Sequence, residues 1–201
     1  MIPAKSRAVR MAGPRRQRLV LMLKEPRPGR VKTRLGRGIG MVPAAWWFRH
    51  QTSDLIRRLR DPRWELILAV APDAEGLASR VWPSDLWRVP QGAGDLGDRM
   101  GRLMRSLPPG PVVICGADVP GMDRAAVAAA FGALGRRAAV LGPAPDGGYW
   151  CVGLRRTASP PASLFEGVRW STGWAREDTE RTLPPAARIA ALRDVDTAAD
   201  L

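Results

Sequence analysis

Residues Leu19–Gly36 read "LVLMLKEPRPGRVKTRLG", an apolar run followed directly by a loop rich in positive charge. The apolar run predicts a buried strand. Pro28 then holds the backbone extended and Gly29 permits a positive φ, so we expect the chain to bend there. The bend exposes N–H groups that, with nearby cationic side chains, would form a concave anion site. The cations placed to contribute are Arg30, Lys32 and Arg34.

Strands and helices alternate along most of the chain, which predicts a mostly parallel sheet covered by helices on both faces, a three-layer α/β/α fold. The expected strands, some running into a turn, are 18–23, 64–72, 87–90, 111–121, 138–148, 149–154 and 187–196. The expected helices are 43–60, 73–81, 94–107, 123–137 and 174–183. Asp95 and Asp123 are suited to cap two of these helices.

The chain has 201 residues, 45% of them hydrophobic, which is enough for the core of one globular domain. We expect a disordered basic tail over residues 1–17 and a single domain over 18–201. The formal net charge is +13, but six cations lie in the first eighteen residues, and without them about +7 is left. That charge is moderate for a domain that binds phosphates, and it weakens a nucleic-acid-binding interpretation without excluding it.

Neither a membrane span nor a secretory signal is indicated. No apolar run approaches the roughly 20 residues that a span needs, and "LVLML" is too short for the apolar part of a signal peptide. Cys115 and Cys151 lie in apolar runs without a CxxC pair, so we expect buried thiols. His50 is the only histidine, so the sequence gives little support for a zinc site or a Ser-His-Asp triad. We therefore expect a cytoplasmic protein with no membrane partner.

Two aspartates follow predicted strands, where ligands of parallel sheets gather. Asp118 ends the fourth strand in "VVICGADVPG", and Asp146 lies on a glycine turn after the fifth strand in "GPAPDGGYW". A carboxylate at this edge, beside a phosphate site, favours Mg²⁺ or Mn²⁺. We predict that Asp118 is a metal ligand and catalytic, and that Asp146 is a second ligand or a base. Capping or turn roles are the structural alternatives for both aspartates.

The segment "GAGDLG", Gly92–Gly97, matches the GxGxxG pattern, and Asp118 lies about 20 residues on, as in a dinucleotide-binding fingerprint. The preceding strand is short and contains Pro90, however, and the fingerprint normally belongs to a first βαβ unit. We therefore disfavour NAD(P) binding. Gly92 and Gly94 are expected to let the backbone approach a nucleotide, or simply to turn the chain.

Tryptophans are abundant, and most of them are expected to be packing residues. Trp150 and Trp170 differ, because each adjoins a polar loop. Either could lie against a sugar or a base.

Six segments, in this order, resemble one bacterial family: "LKEPRPGRVKTRL", "QGAGDLGDRM", "GADVPG", "GPAPDGGYWCVGL", "FEGVRWST" and "DVDTAADL". That family is the glycosyltransferase-A-like group of arsenosugar-biosynthesis-type or radical-SAM/selenodomain-associated glycosyltransferases. The resemblance runs from about Leu19 to Leu201. It implies a nucleotide-diphosphosugar-transferase (GT-A) fold and a divalent metal, Mg²⁺ or Mn²⁺.

The resemblance also implies roles for individual residues. The family's phosphate-facing loop is matched by Lys24, Arg30, Lys32 and Arg34, and its metal-holding aspartate by Asp118. Its DGGY turn near the acceptor is matched by Asp146, Gly147, Gly148 and Tyr149, and its terminal DxDT by Asp194 and Asp196. Glu25 and Arg27 stand where the family usually has small or apolar residues, which would shift the local charge without removing the site.

A second group with the same fold, the phospholactate guanylyltransferases and molybdenum-cofactor nucleotidyltransferases, also uses a basic first loop. There a substrate phosphate attacks the α-phosphorus of an NTP, whereas in glycosyl transfer the acceptor attacks the sugar C1. The DGGYW and WST motifs favour the first group. We therefore predict metal-dependent glycosyl transfer from a nucleotide-sugar donor to a small-molecule acceptor. The alternatives are nucleotidyl transfer from an NTP to a phosphorylated small molecule, and non-catalytic binding of nucleotides or nucleic acid.

Overall fold

The computed structural model describes residues 15–201. The strands are β1 Gln17–Lys24, β2 Trp64–Ala71, β3 Trp87–Pro90, β4 Val112–Gly116, β5 Ala139–Pro143, β6 Tyr149–Leu154 and β7 Ala186–Arg188. The helices are α1 Thr33–Ile39, α2 Met41–Leu59, α3 Asp73–Ala78, α4 Leu96–Ser106, α5 Arg124–Leu134 and α6 Ala175–Thr182, and a final 3-10 turn spans Ala198–Asp200. Within residues 15–201, none of the helices is long and apolar enough to cross a membrane.

All seven strands form one sheet in the order β3-β2-β1-β4-β6-β5-β7. Strand β6 pairs antiparallel with β4 and β5, and every other pair of neighbours is parallel. Strand β6 is reversed because the short turn 144–148 joins it to β5, and a parallel pair would need a long crossover. The mostly parallel α/β sheet predicted from the sequence is confirmed.

The sheet lies between two hydrophobic cores, because alternate residues of an inner strand point to opposite faces. Leu19, Leu21 and Leu23 of β1 belong to one core, which α2 and α5 cover. Val20 of β1 and Ile114 of β4 belong to the other core, which α4 covers. This arrangement gives the three layers predicted from the sequence.

Two cysteines lie opposite each other inside the sheet. Cys115 of β4 is paired in register with Cys151 of β6, and both are buried free thiols. Burial raises the pKa of the Cys115 thiol, and its contact with Cys151 adds to that rise. Both cysteines are therefore core residues, as predicted.

The carboxyl ends of β1, β4 and β5 lie at one edge of the sheet, and the chain after β7 returns to that edge. The Leu192 N–H donates to the Pro143 carbonyl, and the Val195 N–H donates to the Asp118 carbonyl. A strand was predicted over 187–196, but β7 ends at Arg188 because the chain then crosses from the end of β5 to the end of β4. We call residues 189–201 the C-terminal segment.

The basic loop leads into a short helix, α1, that the sequence pattern did not indicate. Lys32 caps this helix with a left-handed backbone, at φ 46° and ψ 46°. Helix α1 then packs against the start of α2. The contact is close at Gly36, because a Cβ at this position would lie 3.3 Å from Cα of Met41.

The predicted basic tail, residues 1–17, lies mainly outside the described residues. Its last residue, Gln17, already belongs to β1, and the N–H of Arg15 donates to the Pro109 carbonyl at 3.0 Å. Strand β1 therefore begins one residue before the predicted boundary.

Asp178 of α6 holds the segment 163–174 in place. Its carboxylate accepts hydrogen bonds from the N–H, Nε and Nη2 of Arg169 at 3.1, 2.8 and 2.9 Å. It also accepts one from Nη1 of Arg181 at 3.0 Å. These bonds, led by those of the Arg169 side chain, lower the pKa of Asp178 to about 2.

Replacing Asp178 should change how stability depends on pH. Because its pKa is lower in the folded protein, the carboxylate stabilises the fold above about pH 4, and this contribution is lost as the pH falls to about 2. Asp178→Asn should therefore lower the urea midpoint of unfolding near neutral pH, and the difference from wild type should shrink in that acidic window. The exposed Asp54, which pairs with Arg57, provides a control in Asp54→Asn. A constant difference between Asp178→Asn and wild type at every pH would contradict the assignment.

Asp123 caps α5 through a single hydrogen bond, in which its Oδ1 accepts from the Ala126 N–H at 2.8 Å. Asp123→Ala should lower the free energy of unfolding by about 1 kcal/mol. Asp123→Asn should keep most of that stability, because an amide oxygen can also accept the bond. Equal urea midpoints for the Ala and Asn variants would show that the cap contributes nothing.

Candidate active site

A cleft of about 910 Å³ opens at the carboxyl edge of the sheet. Its walls are the basic loop of residues 24–34, the residues after β4, the turn 144–148, the start of α4 and the C-terminal segment. Of the residues predicted to form a site, those lining this cleft are Lys24, Arg30, Lys32, Arg34, Gly94, Asp118, Asp146, Gly148, Tyr149, Trp150 and Trp170. Pro28, Gly29, Gly92 and Gly147 do not line it.

Lys32 lies at the centre of the site. Its ammonium nitrogen is 2.6 Å from Oδ2 of Asp118 and 2.9 Å from Oδ1 of Asp196, and its side chain is only 8% exposed. Burial alone would lower the pKa of Lys32, but the ion pairs with Asp118 and then Asp196 outweigh this and raise it. The lysine is therefore charged, and it neutralises part of a strongly negative group.

That negative group consists of Asp118, Asp194 and Asp196, each of which offers a carboxylate oxygen within 4.8 Å of the others. Burial raises the pKa of Asp194, and the charge of Asp118 raises it further. The structure thus brings Asp118 together with two residues of the terminal DxDT motif. The resemblance had matched that motif without giving it a role.

The C-terminal segment positions Asp194 and Asp196 through its backbone. The Val195 N–H, between the two aspartates, donates to the Asp118 carbonyl at 2.9 Å. Asp200 then accepts hydrogen bonds from the N–H groups of Asp196 and Thr197 at 3.2 and 2.8 Å. The two carboxylates are therefore held against the end of β4 by one long-range backbone bond and by the local turn that Asp200 closes.

Asp146 lies apart from the three clustered carboxylates. It is exposed on the β5–β6 turn, where its Oδ1 accepts from the Gly148 N–H at 2.8 Å. The negative charge of Asp146 still contributes to the raised pKa of Asp194 in the cluster. The predicted metal pair of Asp118 and Asp146 is thus not the group that the structure forms, and a role for Asp146 as ligand or base stays a prediction.

The remainder of the DGGY turn is held by buried contacts. Gly147 has φ 87°, and a Cβ there would lie 2.3 Å from the Gly173 carbonyl oxygen, so only glycine fits. The Tyr149 hydroxyl accepts from Oγ1 of Thr179 at 3.3 Å, and burial raises its pKa. Trp150 is 3% exposed, and its indole N–H donates to the Ala190 carbonyl at 3.0 Å. The predicted acceptor roles of these residues stay predictions, with Trp150 beneath the surface of the cleft.

Trp170 also lines the cleft. It is half-buried, and its ring lies 6.2 Å from that of Phe165. A Cβ on Gly97 would lie 2.9 Å from Cζ2 of Trp170, so the ring packs closely against the first turn of α4. An aromatic face at this position suits the apolar face of a sugar or base.

The cations of the basic loop have different partners. Arg27 and Arg30 pair with Glu75 at 3.2 and 3.4 Å, and Arg34 pairs with Asp196 at 3.1 Å. Lys24 is exposed at the end of β1 and has no ion pair among residues 15–201. Glu25, which departs from the family pattern, accepts from the Ser79 hydroxyl at 3.0 Å.

A second cavity of about 570 Å³ adjoins the main cleft. Lys24, Arg30 and Arg99 line both spaces, and Asp73 and Gly92 line the second one. Gly92 and Gly94 have positive φ values of 79° and 97°, and a Cβ on them would meet the side chains of Arg102 and Asp98 respectively. Asp95 caps α4, as the sequence predicted, and Asp98 completes a capping box with it.

Different transferases share this fold at low sequence identity. A 4-diphosphocytidyl-2C-methyl-D-erythritol synthase from Anaerococcus prevotii is 10% identical, with a TM-score of 0.59, and the match covers 92% of this chain and 94% of that one. Glucosyl-3-phosphoglycerate synthase from Mycobacterium tuberculosis, in complex with Mn²⁺, UDP and glucosyl-3-phosphoglycerate, is 12% identical with a TM-score of 0.51, over 92% and 74% of the chains. At these identities the likeness shows the fold alone.

A stronger likeness is found to the crystal structure of a provisionally assigned nucleotide-diphospho-sugar transferase from Desulfovibrio desulfuricans G20. The two chains are 30% identical with a TM-score of 0.80, and the match covers 90% of this chain and 82% of that one. No curated protein matches the chain. The family described as "Uncharacterized protein conserved in bacteria (DUF2064)" matches residues 55–172, which is more than half of the sequence. The chain therefore belongs to the DUF2064 family of bacterial proteins, and it has the predicted nucleotide-diphospho-sugar transferase fold.

Proposed function

We propose that this protein transfers a glycosyl group from a nucleotide-sugar donor to a small-molecule acceptor, with a divalent metal bound by Asp118, Asp194 and Asp196. The observation that carries the proposal is a cluster of three carboxylates that lines one cleft together with a cationic loop. The resemblance of six sequence segments to arsenosugar-biosynthesis-type glycosyltransferases supports the same reaction.

The three carboxylates suit Mg²⁺ or Mn²⁺. Both ions prefer oxygen ligands, and Mg²⁺ is commonly held by one or two carboxylates together with substrate phosphates. Burial, and then the negative charge of neighbouring carboxylates led by Asp118, raises the pKa of Asp194, and a divalent cation would offset that charge. When bound, such an ion would stabilise the negative charge that develops on the departing diphosphate.

The cations of the basic loop would bind that same diphosphate. Lys24 and Arg99 line both cavities. Phosphates bound where the two cavities meet would place the nucleoside in the second cavity and the sugar in the main cleft. Arginine suits two-point contacts with phosphate oxygens, and lysine provides a compact charge. Fixed charges of this kind stabilise a leaving group without reorganisation during the reaction.

The acceptor would enter from the side of the DGGY turn. Asp146 is exposed there, and one of its carboxylate oxygens is fixed by the Gly148 N–H, so the carboxylate could accept the proton of an attacking hydroxyl. The ring of Trp170, which lines the same cleft, would support the transferred sugar.

Nucleotidyl transfer is the second candidate. The run Lys32 to Leu35, which resembles guanylyltransferases, lies at the centre of the site and favours it. In that reaction a substrate phosphate would attack the α-phosphorus of an NTP, and pyrophosphate would leave. The same cations and carboxylates would stabilise the leaving group in either reaction. The two reactions are therefore distinguished by which nucleotide the protein binds.

Removing the Asp118 carboxylate should weaken metal-dependent nucleotide binding. We expect Asp118→Asn to weaken the binding of a nucleoside diphosphate in the presence of Mn²⁺ by about tenfold or more, measured by calorimetry, because an amide is a poorer metal ligand. Asp54→Asn on the exposed face of α2 is the matched control. Wild-type affinity and turnover in Asp118→Asn would show that the metal assignment is wrong.

Thermal unfolding with a panel of nucleotides should identify the reaction class. A ligand at 100 times its Kd adds about 2.7 kcal/mol of stability, which shifts the midpoint measurably. Metal-dependent stabilisation by one nucleoside diphosphate and its sugar conjugate would support glycosyl transfer. A response to a triphosphate alone would support nucleotidyl transfer, and no response to any nucleotide would contradict both.

A further inference from the structure

The Lys32 ammonium lies between two of the three carboxylates that would bind the metal. Its nitrogen is 2.6 Å from Asp118 and 2.9 Å from Asp196. A divalent ion bound to those carboxylates at about 2.1 Å would lie in the space that the ammonium now fills. Two cations in direct contact with the same oxygens would also repel each other strongly.

The interaction differs from an ordinary surface ion pair. The Lys32 side chain is 8% exposed, whereas that of Arg34, which also pairs with Asp196, is 63% exposed. Exposed pairs contribute little, but the buried ammonium of Lys32 would be strongly destabilised without the half-buried carboxylates that it contacts. Lys32 therefore acts as the counter-ion of the cluster in the ligand-free protein.

The position of Lys32 gives its ammonium a second partner. The residue lies at the start of α1 and lines the cleft together with Lys24, Arg30 and Arg99. A diphosphate held by those cations would offer new oxygen acceptors to an ammonium released from Asp118 and Asp196.

We propose that Lys32 is an exchangeable internal cation, which occupies the metal position in the free protein and moves to the donor diphosphate when the metal enters. This inference rests on the proposed function, because it requires a metal at the three carboxylates. It also means that Lys32 opposes metal binding until an anionic donor draws it away. Metal and donor would then favour each other's binding, by the same factor in both directions.

The first test is the affinity of the nucleotide-free protein for Mn²⁺ alone, measured by calorimetry or by the magnetic resonance signal of free Mn²⁺. Lys32→Met should bind Mn²⁺ about tenfold more tightly than wild type, because the ion no longer has to displace an ammonium. Arg34→Met removes an equal charge from a contact with Asp196 and is the matched control. It should change the affinity by less than about threefold, since its guanidinium is exposed and screened.

The outcomes separate this inference from the proposed function. If wild type binds Mn²⁺ and Lys32→Met binds it equally or more weakly, the exchange is refuted while the metal site stands. An equal gain in Mn²⁺ affinity in Arg34→Met would also refute the exchange, because the loss of any nearby positive charge would then explain the tighter binding. If wild type binds no Mn²⁺ with or without a nucleotide, the metal site and the exchange both fail.

A second measurement uses the wild-type protein alone, so it does not depend on the folding of a variant. The chain contains three lysines, and Lys32 and the exposed Lys24 can be compared by acetylation with acetic anhydride and mass spectrometry. Lys32 should react slowly in the free protein and several-fold faster once Mn²⁺ is added, while the rate at Lys24 changes little. Protection of Lys32 that Mn²⁺ does not relieve would overturn the exchange.

Discussion

The ion pairs of Lys32 with Asp118 and Asp196 join parts of the chain that are 86 and 164 residues apart. They hold the basic loop, the end of β4 and the C-terminal segment around one point at the edge of the sheet. The Lys32 ammonium requires these partners, because it is 8% exposed and a buried charge without a counter-charge is strongly unfavourable. The position of α1 and the path of the last residues of the chain therefore depend on this charge balance, and so does the shape of the cleft.

The cleft contains both negative and positive side chains, and a transferase with an anionic leaving group requires both. Carboxylates lie at its centre, where a metal would be held, and exposed cations lie around them, where phosphates would bind. This arrangement serves glycosyl and nucleotidyl transfer equally, because both reactions release a phosphate-containing leaving group. The fold is compatible with both reactions. The residues near the acceptor and the nucleoside therefore determine which reaction is catalysed.

Much of the site followed from local patterns in the sequence. The strand before the basic loop, the position of Asp118 after a buried strand and the caps at Asp95 and Asp123 all depend on residues close together in the chain. The grouping of Asp194 and Asp196 with Asp118 did not follow, because it depends on a long-range backbone bond from Val195. Helix α1 was also missed, since a helix of seven residues is stabilised mainly by packing against its neighbour.

The central claim is that the three carboxylates hold a divalent metal opposite a cationic site for a diphosphate. Anomalous diffraction at the manganese edge, from crystals grown with Mn²⁺ and a nucleoside diphosphate, would test it most directly. We predict one manganese peak within bonding distance of Asp118, Asp194 and Asp196, with the diphosphate on the basic loop. A nucleotide bound in the cleft with no manganese at those carboxylates, or with manganese bound elsewhere, would contradict the claim.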